Sequence, residues 1–171
     1  MSFLRHGELV AERFEDLMSL ERKHLWASPG WFLCHFEDIR SRLLPQMEMI
    51  KTYQKFHDIG KPFCRAVDEN GKAHYPDHAK ISAEIWNTSG QCPIIGQLIA
   101  RDMEFHLLKP SEIDENYPID SLSLILLVTA LCELHANAEM FGGLESDSFK
   151  IKWKRLDKIG SKLIDRILKF A

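Results

Sequence analysis

Several features that mark common protein classes are missing from this chain. It has no glycine-rich phosphate-cradling loop and no nucleotidyltransferase motif. No apolar run is long enough to span a bilayer, and "SLSLILLVTALC" reads as a buried helix. No membrane partner is therefore expected. The four cysteines, Cys34, Cys64, Cys92 and Cys132, form no C-x-x-C pair. That removes the usual thiolate zinc and redox motifs and fits reduced thiols in a cytoplasmic protein. The start, "MSFLRHGELVAERFEDL", carries acids early and has no apolar signal core, so export is not expected. The net charge of −3 argues against wholesale wrapping of nucleic acid but leaves room for a local basic patch. There is no internal repeat, no low-complexity segment, and little strand-like alternation.

Apolar spacing near 3.6 residues is abundant. It predicts helices over about 2–25, 31–44, 45–59, 78–88, 93–108, 118–141 and 147–170. Pro45, Pro93 and Pro118 stand where helix starts are expected, and Gly60 where a C-terminal cap is expected. Asn70-Gly71 is a hairpin turn signal. With 171 residues, the reading is one domain. It is an all-α bundle of six or seven helices with a small β-hairpin around residues 64–76.

Histidines and acids recur on the apolar faces of these helices. Ile50, Tyr53 and His57 share a face by their spacing, as do Phe32, His35 and Ile39. His78 lines up with Ile81 and Ile85, and His106 with Ile95 and Ile99, with Asp102 beside them. Glu133 follows a charge-free stretch from Ser121 to Cys132. One such histidine is ordinarily a core residue bonded to a carbonyl. Five helices each offering an inward histidine or carboxylate is different, because unpartnered buried ionisable groups are costly. A metal cation removes that cost by accepting neutral imidazoles and anionic carboxylates. The nitrogen–oxygen mixture suits Mn, Fe, Co, Ni or Zn.

The order His35, His57-Asp58, His78, His106 and then an acid resembles the HD superfamily of metal-dependent phosphohydrolases. "HDIGKP", a turn-bearing loop and "YPDHAKISAEIW" are similar to the HD domain of bacterial CCA-adding tRNA nucleotidyltransferases. The resemblance covers about residues 31–140. Asp77-His78 stands where that family has Gly-His, and Glu133 where it has a final aspartate. The resemblance implies a metal site of His35, His57, Asp58 and Glu133. His78 and His106 would add a second ion or bind phosphate, and Lys61 would face substrate. It implies hydrolysis of phosphomonoesters or 2′,3′-cyclic phosphodiesters of nucleotides or RNA ends. Asp58 would orient the attacking water, and Lys61 and Arg65 would meet the phosphoryl oxygens.

Two other readings stay open. Some HD-like domains hold two irons and activate oxygen. Alternatively, the scaffold is a catalytically weak module that binds RNA or a partner protein. The segment "FKIKWKRLDKIGSKLIDRILKF" predicts an amphipathic helix with an apolar stripe of Leu156, Ile159, Leu163, Ile167 and Phe170. Its opposite side carries Lys154, Lys158, Lys162 and Lys169, read either as a solvated face or as a surface for RNA contact. His6, His24, His74 and His135 receive no role, and His135 is expected at the surface.

Overall fold

The computed structural model describes residues 2–19 and 28–170. The chain opens with α1 (Phe3–Met18), capped by Ser2, whose Oγ accepts the Arg5 backbone N–H at 3.2 Å. Leu9, Val10, Phe14 and Leu17 form its buried stripe, and His6 and Gly7 continue that stripe toward the N-terminus. The helix stops short of the expected residue 25. Ser19 is extended, and residues 20–25, with His24, lie outside the described residues.

The helix expected over 31–44 is two helices, α2 (Gly30–Cys34) and α3 (Phe36–Leu43). The backbone leaves helical geometry at His35, with φ −112° and ψ 18°. A short 3-10 turn containing Pro45 leads into α4 (Met47–Phe56). The chain then turns through His57–Gly60 and a second 3-10 turn containing Pro62. Gly60 is not the left-handed cap that its position suggests, since its φ is −79°.

The expected hairpin is present as β1 (Ala66–Val67) and β2 (Ala73–His74), antiparallel with Ala66 opposite His74. Gly71 takes φ +78° in its turn, and Asp68 Oδ1 accepts the Asn70 and Lys72 N–H groups, each at 2.9 Å. Helix α5 (His78–Thr88) has the predicted bounds. Its buried face is Ala79, Ser82, Ala83 and Trp86, while Ile81 and Ile85 are half-buried. The helix expected over 93–108 breaks at residues 101–103 into α6 (Pro93–Ala100) and α7 (Glu104–Leu107). Pro93 does start α6. Pro118 starts nothing: α8 (Ser123–Met140) begins five residues later, after Asp120 has accepted the Leu122 N–H at 2.9 Å. Helix α9 (Asp147–Phe170) closes the chain.

Among the described residues, seven helices have eight residues or more and the only sheet is the hairpin, so the protein is an all-α bundle. Helix α8 is its axis. From Ser123 to Ala136 every residue is buried, and α1, α7 and α9 pack against it. By length and composition α8 could cross a membrane, yet 78% of it is buried inside the bundle, as for a core helix. Leu156, Ile159, Leu163, Ile164 and Ile167 of α9 are buried. Each such side chain contributes about 1.5–3 kcal/mol. Phe170, expected on that stripe, is 63% exposed. His135 is buried rather than at the surface, its ring edge-on to Phe149 with centroids 5.9 Å apart. All four cysteines are free.

Candidate metal centre

One end of the bundle gathers histidines and acids from six segments. His57 and Asp58 sit just past α4, and both are only 1% exposed. His57 Nδ1 lies 2.6 Å from the carbonyl oxygen of Gln54. A carbonyl only accepts, so Nδ1 holds the proton of that bond and Nε2 faces the carboxylates. His57 Nε2 is 3.4 Å from Asp58 Oδ2 and 4.0 Å from Glu133 Oε2 of α8. His78 repeats the device at the start of α5. Its Nδ1 meets the Tyr75 carbonyl at 2.9 Å, and its Nε2 is 3.6 Å from Asp58 Oδ1. His106 of α7 places Nε2 3.2 Å from Glu133 Oε2.

Two glycines let these segments close up. A Cβ on Gly7 would sit 2.4 Å from the Lys55 carbonyl oxygen and 2.7 Å from that of Gln54. Its absence lets α1 touch the end of α4 and brings His6 beside His57, ring centroids 5.4 Å apart. His6 Nε2 is 4.0 Å from Asp58 Oδ2. Gly60 works the same way against α5. A Cβ there would lie 2.6 Å from the Ser82 nitrogen, and the Gly60 N–H donates to Ser82 Oγ at 2.8 Å. Its role is close approach, not positive φ.

Asp102, in the break between α6 and α7, completes the inner part. It is 4% exposed and accepts the Tyr53 hydroxyl proton at 2.5 Å. Ligand atoms of His6, His57 and Asp58 lie within 4.8 Å of one another, and so do those of His57, Asp102 and Glu133. Among the described residues, six buried atoms at this end have no hydrogen-bond partner: His57 Nε2, Asp58 Oδ1, Asp102 Oδ2, Glu133 Oε1, His6 Nδ1 and His106 Nε2. Buried nitrogen and oxygen atoms without partners, carried by side chains that cluster together, match what a cation would coordinate.

The groups hold one another's charge. Burial works against the His57 imidazolium, but the Asp102, Asp58 and Glu133 carboxylates outweigh it and raise its pKa to about 9. Burial also opposes the charged form of His106, and Glu133 reverses that too. Burial and the Glu133 charge lift Asp102 to about 7, against the pull of His57 and His106. Burial alone would raise Glu133, but the positive charges of His106 and His57 hold it well below the usual carboxylate range. His6 is lowered by burial and by the neighbouring His57 charge.

Five of the six sequence-predicted ligands thus come together: His57, Asp58, His78, His106 and Glu133. His35 does not. Its Nε2 is 3.5 Å from Asp165 of α9, because the break between α2 and α3 falls at this residue. His6 of α1, to which the sequence reading gives no role, joins the cluster. Its signal was legible, since His6, Val10, Phe14 and Leu17 follow helical spacing as His57 does with Tyr53. Asp102 could have been read the same way from Ile95 and Ile99.

A cavity of about 520 Å³ opens onto the cluster, lined by His6, Asp58, Lys61, Phe3, Tyr75 and Asn137 with neighbours from the end of α8. Lys61 Nζ donates to Asp58 Oδ2 at 2.5 Å and lies 6.0 and 5.8 Å from the ring centroids of Phe3 and Tyr75. It stands at the boundary between acid cluster and cavity, flanked by two rings that favour its charge. Arg65 is exposed and does not line this cavity. No family model matches the chain, and neither a curated protein nor a solved structure does.

Proposed function

We propose that the chain is a cytoplasmic metal-dependent phosphohydrolase of HD type. It cleaves phosphomonoesters or 2′,3′-cyclic phosphodiesters of nucleotides or RNA ends. The observation that carries this reading is the cluster of buried imidazoles and carboxylates, several with unpartnered atoms, beneath a cavity whose rim holds Lys61. The motif resemblance around His57-Asp58 supports it.

His6, His57, Asp58 and His78 would hold one divalent ion, and Asp102, His106 and Glu133 offer donors for a second. Mn, Fe, Co, Ni and Zn suit this donor set. A bound ion supplies Lewis acidity to phosphoryl oxygens and makes water nucleophilic near neutral pH. The remaining work belongs to the chain. The Gln54 and Tyr75 carbonyls fix the two imidazoles with Nε2 inward. Tyr53 holds Asp102 in one orientation. Asp58 Oδ1, buried and unpartnered, orients the attacking water. Lys61 offsets the charge that develops on the phosphoryl oxygens.

The test is to strip metal with chelator, add back single divalent ions, and assay p-nitrophenyl phosphate and 2′,3′-cyclic AMP. Hydrolysis should follow the ion and disappear in His57→Ala. Full activity without metal, or in that variant, sinks the reading. The two adjoining donor groups also support a di-iron oxygenase. Iron at two ions per chain with oxygen consumption and no phosphoester hydrolysis would select it. Hydrolysis of nothing, together with metal-independent folding, would select a binding module.

A further inference from the structure

A second cavity, of about 240 Å³, lies beyond the first, and the two share Asn137 and Phe141 as a common wall. Phe141 ends α8. Its N–H donates to the Asn137 carbonyl at 2.9 Å, and Gly142 and Gly143 follow at φ +90° and +76°. The Gly143 N–H closes the turn on the Ala138 carbonyl at 2.8 Å. The Phe141 side chain lines both cavities and is 67% exposed. Lys152 of α9 lines the far cavity and has no ion pair among the described residues. The nearby Glu145 is already matched by Lys150 at 2.9 Å.

The order along the surface is therefore acid cluster, Lys61, a nucleotide-sized cavity, an exposed aromatic ring, and then a second cation. A single-stranded nucleic acid presents the matching order of terminal phosphate, nucleoside, stacked neighbouring base and next phosphate. We propose that Phe141 and Lys152 form a second-nucleotide subsite, so that the preferred substrate is the phosphorylated end of a single-stranded oligonucleotide. This rests on the phosphohydrolase reading of the metal centre. At a 3′-phosphorylated end, a water oxygen bonds to phosphorus as the bond from phosphorus to the ribose oxygen breaks. The ribose oxygen takes a proton and inorganic phosphate leaves, so no oxidant or further reactant enters.

The experiment compares kcat/KM for adenosine 3′-monophosphate and for an adenylate trinucleotide bearing a 3′-phosphate, using the metal-loaded protein. The trinucleotide should be favoured about tenfold, the worth of one stacked base. Phe141→Ala and Lys152→Met should each shrink that ratio at least about threefold. Equal kcat/KM for the two substrates, or a ratio that neither substitution moves, overturns the proposal. Hydrolysis of neither substrate with any ion overturns the phosphohydrolase reading instead. The subsite is then judged by fluorescence anisotropy with a fluorescein-labelled adenylate hexanucleotide. Binding that weakens with salt and in both variants supports it. No binding, or identical binding by wild type and variants, overturns it.

Discussion

Two histidine–aspartate pairs lie within twenty residues of each other and could hardly differ more. His74 Nε2 and Asp68 Oδ2 meet at 2.8 Å at the hairpin, with side chains 50% and 34% exposed. Asp68 also accepts two backbone N–H groups, so its oxygens are satisfied by the turn itself. The hydrogen bond from His74 is the main cause of its lowered pKa. His57 and Asp58 are buried, and each keeps an atom without a partner. The first pair stabilises a turn. The second belongs to a buried group of side chains that could hold a metal ion. Proximity of histidine to aspartate therefore says little, whereas burial with unsatisfied donors says much.

The sharpest way to break this contrast is to remove one aspartate from each pair. Asp58→Ala should cost at least about a hundredfold in metal-dependent hydrolysis. Asp68→Ala should leave both rate and metal content unchanged, which phosphate release and metal analysis would check. Next in size is Tyr53→Phe, which deprives Asp102 of its hydroxyl donor. Metal affinity should fall about 10- to 100-fold by competition with a chelating dye, since supporting hydrogen bonds tune ligands on that scale.

A third outcome concerns protons. His57 must be neutral to bind a cation, but without metal its pKa is about 9. Metal affinity should therefore rise with pH, by up to about tenfold per unit, until pH passes 9. The stability of the metal-free protein carries the matching sign. The contribution of His57 is fully present below its unfolded value of about 6.5 and is lost as pH rises through 9. Thermal melts in chelator across that window would test this. The hairpin pair should show no such coupling to metal.

The smallest expected effect is structural. Gly7→Ala forces a methyl group into the Lys55 and Gln54 carbonyls and should destabilise the fold by about 1–3 kcal/mol. Because it shifts His6, metal affinity should fall as well. His74→Ala should cost under about 1 kcal/mol, as exposed pairs do, with affinity intact. Urea unfolding with and without metal separates the two cases.

Long uninterrupted periodic segments were read from sequence with their bounds intact, as α5 and α9 show. The readings that slipped lie at breaks. The apolar period runs through His35 and through residues 101–103, but the backbone does not. Once the helix breaks, spacing no longer says where a side chain points. That is why His35, expected in the site, lies beside Asp165 instead. His6 shares the apolar face of its helix with Val10, Phe14 and Leu17, but only contact with α4 gives it the His57 neighbour.

The sequence by itself determined that this is a helical chain with a short hairpin, and that ionisable groups occupy apolar faces. Both follow from local spacing, which the backbone period converts directly into faces. Tertiary structure alone decided which of those groups meet. Gly7 and Gly60 let helices approach closely enough for imidazoles and carboxylates to converge, and α8 delivers Glu133 between them. Convergence depends on helix-to-helix distance, and no spacing along the chain encodes it.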